Sequence, residues 1–170
     1  MKAEDINWDK YDEKELDFIL NNSTKILEET VKSFRETTNK SYIALGFYVS
    51  IISYCVNKIF TDNTYLFYLI PISGISICLY CLWSTLLPSK LMFQGVLPQN
   101  LINEDFEEIG EHKMYSYKVN IIVDYNNGAI ENINTVKTRV SLFKKSIKIF
   151  VATLFLTFLY YICFVSECFK

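Results

Sequence analysis

The side chains in this chain that could do chemistry are few and scattered. The single histidine, His112, lies in Glu111-His112-Lys113. A metal site or catalytic base needs partners at defined spacing, and no His or Cys cluster is nearby, so His112 reads as a solvated surface residue. Cys78 and Cys81 have C-x-x-C spacing, but they fall in an apolar run with no second pair and no βαβ context, so neither zinc nor redox use is expected. The acidic clusters Asp9, Asp12, Glu13, Glu15, Asp17 and Glu104, Asp105, Glu107, Glu108, Glu111 could hold cations or an acid/base pair. The simpler reading is that they are solvated helix starts, where carboxylates complement the positive end of the macrodipole. There is no Gly-rich phosphate loop, Ser nucleophile motif or paired metal-ligand motif. No catalytic, cofactor-binding or metal-binding residue is assigned, and an enzyme is not expected.

The apolar runs offer better material. Gly46, Ser50, Ser53 and Asn57 recur at steps of four, three and four, which places them on one stripe of a helix. Ser73, Ser76, Tyr80 and Ser84 do the same further on, with Pro71 and Gly74 able to kink or loosen the turn above them. Thr153, Thr157 and Tyr160 make a weaker third stripe. Small and hydroxyl residues let membrane helices approach closely and hydrogen-bond, so helix packing is one reading. The other is a pore wall: hydroxyls and one amide would line a wet path of low selectivity, because no ring of like charges occurs there.

The elements that carry these stripes follow from composition. The 170 residues are 51% apolar and 16% aromatic but only 21% charged, which is too oily for an ordinary soluble domain of this length. Charge is also unevenly placed. Residues 1–40 hold seven Lys/Arg and ten Asp/Glu, and residues 88–146 hold seven of each, whereas 41–87 contain only Lys58 and Asp62. A net charge of −2 leaves no basic footprint for DNA or RNA. The five cysteines sit in or beside oily stretches as small hydrophobes, which argues against a secreted disulfide scaffold. The polar first 40 residues do not read as a signal peptide.

Residues 41–60, 65–87 and 147–166 are each about the ~20 residues that a helix needs to cross ~30 Å of hydrocarbon. Three spanning helices are expected, the alternative for the third being a re-entrant or interfacial helix. The Phe and Tyr residues near span ends fit lipid-facing belts. Lys25, Lys32, Arg35 and Lys40 precede the first span, and Lys90, Lys137, Arg139, Lys144 and Lys145 lie in the second polar stretch, whereas residues 61–64 contain no Lys or Arg. By the positive-inside rule both polar stretches face the cytoplasm. The organisation expected is a cytoplasmic amphipathic helix over 1–40, a transmembrane hairpin over 41–87, a cytoplasmic loop and helix over 88–146, and a third span with an outside tail over 147–170.

Leu16, Leu20, Leu27, Val31 and Phe34 fall at helical steps, and no Pro and only Gly46 interrupt the chain from about residue 13 to 60. One continuous helix of roughly 70 Å is the economical reading. Pro88-Ser89 and Gly95-Val96-Leu97-Pro98 break any helix after the second span. Residues 115–125 alternate in polarity and are followed by Asn126-Asn127-Gly128, which would suit a hairpin. The helical register of Val119, Ile122, Ala129, Ile133 and Val136 runs straight through Gly128, however, and is preferred because no second strand follows. Leu16, Leu20, Leu27, Val31 and Phe34, with Val119, Ile122, Ile133 and Val136, form a candidate cytoplasmic assembly face, within the subunit or between subunits. Three spans cannot enclose a channel alone, so any pore requires several copies. The fold class expected is an all-α membrane protein: three transmembrane helices with long cytoplasmic helical extensions packed as a bundle, oligomeric.

A polar helix with Phe34-Arg35-Glu36-Thr37-Thr38-Asn39-Lys40-Ser41 leads directly into a span. A close transmembrane hairpin follows, and then a helix carrying Tyr125-Asn126-Asn127 and Asn132. This arrangement resembles the small bacterial membrane effectors of antiphage defence systems, the SLATT and Pycsar-type transmembrane groups. That resemblance implies an inner-membrane protein with a cytoplasmic N-terminus that an upstream sensor triggers to assemble and to depolarise or permeabilise the membrane. The chain departs from the pattern by its third span and by having no room for a nucleotide-sensing domain, so a cytoplasmic protein partner or small ligand would deliver the signal. The expected partners are the lipid bilayer, further copies of the chain and that sensor, with no cofactor and no nucleic acid. A membrane-anchored scaffold that binds a soluble effector and conducts nothing is the competing expectation.

Overall fold

The computed structural model describes residues 6–61, 65–87, 89–93 and 113–168. His112, the acidic cluster 104–111, Pro88 and the breakers at 95–98 lie outside the described residues. A short 3-10 helix, Trp8–Lys10, precedes three α-helices: α1 (Glu13–Thr61), α2 (Tyr65–Leu86) and α3 (Lys113–Cys168). No strand occurs among the described residues. All three helices are long and apolar enough to cross a membrane.

The start of α1 is a reciprocal cap. The Asp12 carboxylate accepts from the Glu15 amide at 2.8 Å while the Glu15 carboxylate accepts from the Asp12 amide at 2.9 Å, so two amides that a helix start leaves without partners are satisfied. With no proline downstream, α1 then continues unbroken for 49 residues. Residues 115–125, which suited either a strand or a helix in sequence, are helical. Gly128, a costly residue within a helix, sits where an added Cβ would lie 2.8 Å from the Met92 Cβ. Close approach by another segment, not a turn, is what requires glycine there. Gly74 in α2 has the same explanation, because an added Cβ would overlap the Thr153 side chain.

The chain divides into two compact units. The first comprises Met1–Arg35 and Ser89–Val136, and pairs the front of α1 with the front of α3. Among the described residues, Leu16, Leu27, Ile122 and Ala129 are its buried apolar side chains. The second comprises Glu36–Pro88 and Lys137–Lys170. Tyr48, Ile75, Cys78 and Leu82 form its core, with Ala44, Ile51, Phe143 and Phe150 packed around them.

The buried positions of α1 fall on a heptad. Leu20, Leu27, Phe34, Ser41, Tyr48 and Cys55 recur every seven residues, interleaved with Leu16, Ser23, Thr30, Thr37, Ala44 and Ile51. A strict seven-residue repeat is the spacing of a coiled-coil seam, and here it runs along the whole length of α1.

Candidate functional site

α3 carries a second seven-residue series of unusual composition: Lys118, Tyr125, Asn132, Arg139, Ser146, Thr153 and Tyr160. Every member is polar or amphipathic. Seam positions are normally apolar, and a polar group there selects one register by making other pairings leave it unsatisfied. Most members of this ladder make a specific contact within their own unit.

In the first unit the Lys118 ammonium lies 2.9 Å from a Glu13 oxygen and 2.8 Å from an Asp17 oxygen. These contacts, with the hydrogen bond to Asp17 the larger cause, hold its pKa above the ordinary lysine value. The Tyr115 hydroxyl donates to the Trp8 carbonyl and ties the 3-10 helix to α3. Asn132, only 1% exposed, makes the densest contact. Its Oδ1 accepts from the Met92 amide at 3.1 Å, and its Nδ2 donates to the Met92 carbonyl at 2.9 Å and to Thr30 Oγ1 at 3.2 Å.

In the second unit Arg139 is buried at 3% exposure. Its guanidinium donates to Thr38 Oγ1 at 3.0 Å and to the Leu87 carbonyl, just past the end of α2. Burial lowers its pKa from the ordinary arginine value; a guanidinium in a protein keeps its charge. A cation at this point complements the negative end of the α2 dipole. The Ser146 hydroxyl lies within donating distance of both the Tyr48 hydroxyl and the Cys78 carbonyl, 3.3 Å from each, while the Cys78 thiol lies 3.4 Å from the Ser146 carbonyl. Thr153 returns its hydroxyl to the Ile149 carbonyl and packs on Gly74. No buried side-chain nitrogen or oxygen among the described residues lacks a hydrogen-bond partner.

Of the three stripes picked out in the sequence, the third shares Thr153 and Tyr160 with the ladder, and the first two lie elsewhere. Gly46, Ser50, Ser53 and Asn57 are exposed, about half a turn from buried Tyr48 and Cys55 on α1. Ser73, Ser76, Tyr80 and Ser84 are exposed on the side of α2 away from Ile75, Cys78 and Leu82. Ser50 donates to the Gly46 carbonyl, Ser53 to Val49, Ser73 to Ile70 and Ser76 to Ile72, at 2.8–2.9 Å in each case. These serine hydroxyls therefore stay on their own helices, and an added Cβ at Gly46 would meet open space. The structure does not join the two stripes within the chain.

The candidate assembly face is largely used inside the subunit. Leu16, Leu27 and Ile122 are buried, and Leu20, Val31, Phe34, Val119, Ile133 and Val136 are half-buried. What the sequence reading missed is the polar ladder, although its spacing was available: reading α3 at every seventh residue from Lys118 recovers it. Among the described residues no three His, Cys, Asp or Glu side chains are grouped so as to hold a metal ion.

Outside the ladder, surface composition is the main chemical feature. In the most apolar eighteen-residue stretches of α1 and of α3, only 11% of residues are buried, so most of that apolar surface faces outward. Exposure of this extent needs an apolar surrounding. No protein-family model, curated protein or solved structure matches the chain.

Proposed function

We propose that the protein is a homo-oligomeric effector of the bacterial inner membrane. Its three apolar helices cross the bilayer, both polar stretches lie in the cytoplasm, and a cytoplasmic partner or ligand triggers it to perturb or permeabilise the membrane in antiphage defence. The observation that carries this reading is the outward placement of Gly46, Ser50, Ser53 and Asn57 and of Ser73, Ser76, Tyr80 and Ser84 on helices otherwise covered by apolar side chains. Small and hydroxyl residues on the outside of a span favour close packing with another span, and from there a wet path between copies. Three helices packed on one another leave no channel inside one chain, so the passage would form between subunits.

The test is expression of the full chain in bacteria that carry a membrane-potential dye, beside the Ser53→Leu/Asn57→Leu double variant, with particle images of both in detergent. The reading expects depolarisation by the wild type, none by the double variant, and the same ring of copies in both. Equal depolarisation by the two proteins rejects the stripe as a passage wall.

One observation favours the second reading, an anchored scaffold that conducts nothing. Every buried polar side chain among the described residues is satisfied within the single chain, so the apolar unit packs without help from a second copy. A monomer or dimer in detergent with a soluble protein co-purifying, and no depolarisation, would establish the scaffold instead.

A further inference from the structure

Residues 89–93 lie against the first unit in a manner that belongs to peptide recognition. They form no helix or strand. The Asn132 amide binds both the amide and the carbonyl of Met92, at 3.1 and 2.9 Å, which is the pairing that a neighbouring β-strand would provide. Such a contact reads the backbone and is indifferent to the side chain. Selectivity comes from the other direction: Gly128 leaves a notch 2.8 Å from where the Met92 Cβ sits, and Leu27 lies beside it. The Met92 Cβ and Cγ lie over this notch while the side chain as a whole is 48% exposed, so the notch admits the stem of an unbranched side chain, whereas β-branching would crowd it. Beyond Met92 the groove widens into an open cavity of about 400 Å³ lined by Leu27, Glu28, Val31, Lys32, Arg35 and Phe93.

From this geometry we infer that the groove between Thr30, Gly128 and Asn132 is a peptide-binding site, held in cis by residues 89–93 and taken over in trans by an extended segment of a partner protein. That segment carries an unbranched apolar residue for the Gly128 notch and an acidic residue just C-terminal to it. The acidic requirement follows from Lys32 and Arg35, two cations against one Glu28 on the cavity wall. The chain's own segment does not meet that requirement, because no Asp or Glu follows Phe93 until Glu104. The cis occupant is therefore a partial match that a better one replaces.

Energetics make this an exchange rather than an opening. Asn132 is buried, and loss of Met92 would leave its Oδ1 and one Nδ2 hydrogen without partners while Thr30 Oγ1 keeps the other; that costs more than the bonds themselves contribute on formation, so the segment leaves when another backbone takes its place. The inference rests on the proposed effector reading only in naming where its trigger would act. The groove itself is tested without it.

The test uses full-length protein in detergent and two labelled peptides, Ser-Lys-Leu-Met-Phe and the same sequence extended by Glu-Glu. Met92→Pro removes the amide from which Asn132 accepts and leaves only the carbonyl contact, which weakens the cis occupant against exchange. Gly128→Leu fills the notch instead. Both peptides are expected to bind Met92→Pro at least tenfold more tightly than wild type, the acidic one more tightly than the neutral one. Neither is expected to bind Gly128→Leu or the Met92→Pro/Asn132→Ala double variant. Circular dichroism and particle size identify any variant that fails to fold, and a Met92→Ile variant, whose β-branch crowds the Gly128 notch, then replaces Met92→Pro. Equal binding to all variants, or to none of the folded ones, overturns the inference. Peptide binding without dye release from liposomes retains the groove and rejects the effector reading, while dye release with no peptide binding does the reverse.

Discussion

The Arg139 guanidinium donates to the Leu87 carbonyl, so a buried cation on one helix closes the C-terminal end of another. The same guanidinium holds Thr38 on α1, and three elements of the second unit thereby meet at one side chain. Planar, forked donors make this two-acceptor contact, and an ammonium reaches only one acceptor well. Arg139→Ala should lower stability by ~1–3 kcal/mol, because it leaves a buried carbonyl without its donor. Arg139→Lys should recover less than half of that. Thermal unfolding in a single detergent measures both, and a lysine variant as stable as the wild type would mean that charge alone suffices.

The ion pairs of Lys118 give a pH dependence of defined sign. Glu13 and Asp17 hold its pKa above the ordinary lysine value, so the folded state binds the proton more tightly than the unfolded state. Their contribution is complete below the unfolded value of about 10.4 and is lost as pH rises through the raised folded value. Unfolding temperature should therefore show no Lys118-dependent change from neutrality to about pH 9.5, then a steeper fall above about pH 10.5 than in Lys118→Met. Glu13 and Asp17 are both well exposed, so added salt should shrink the difference between wild type and variant.

Gly74 and Thr153 should behave as a coupled pair. Gly74→Ala places a methyl group onto Thr153, and overpacking of this kind costs about 1–3 kcal/mol. Thr153→Ala in the same chain should return most of the loss, which denaturation of the two single variants and the double variant would show as a non-additive cycle. Strict additivity would mean that the two side chains do not meet.

Gly46 makes the opposite case. Because an added Cβ there meets open space, Gly46→Ala should leave the single chain unchanged or stabilise it by about 0.5–1 kcal/mol through helix propensity. Gly46→Leu should also fold. If the stripe packs against another copy as proposed, Gly46→Leu should reduce the oligomer to smaller species in detergent, read by mass photometry, with helix content unchanged. An unaltered oligomer would remove Gly46 from any subunit contact.

How far the residues themselves announced this arrangement differs between its parts. The unbroken course of α1 was legible because no Pro and only Gly46 interrupts the chain from about residue 13 to 60; the reciprocal cap by Asp12 and Glu15 that starts it reads in sequence only as part of a solvated acidic cluster. Helix at 115–125 was less plain, because Tyr115, Tyr117, Val119, Ile121 and Val123 alternate as in a strand. Tertiary packing decides such a case by giving Ile122 and Ala129 a common buried side that only a helix provides. The exposed stripes were found by their spacing, yet spacing alone could not tell outward from inward. Each stripe has a second line of residues half a turn away, Tyr48 and Cys55 on α1 and Ile75, Cys78 and Leu82 on α2, and it is these that pack inside.

What the amino-acid sequence determined by itself is local and periodic: three apolar runs long enough to span, and the unbroken helical course of α1; the seven-residue repeats of α1 and α3 are present in it but went unread. Hydropathy and helical register depend only on residue type and position along the chain, so they need no partner to be read. The tertiary structure alone decided which groups meet, such as Asn132 with the backbone of Met92, Ser146 with Tyr48, and Arg139 with the end of α2. Each of those pairs joins residues 40 to 98 positions apart. Hydrogen bonds are short and directional, and a one-dimensional pattern contains neither distance nor direction between separate helices.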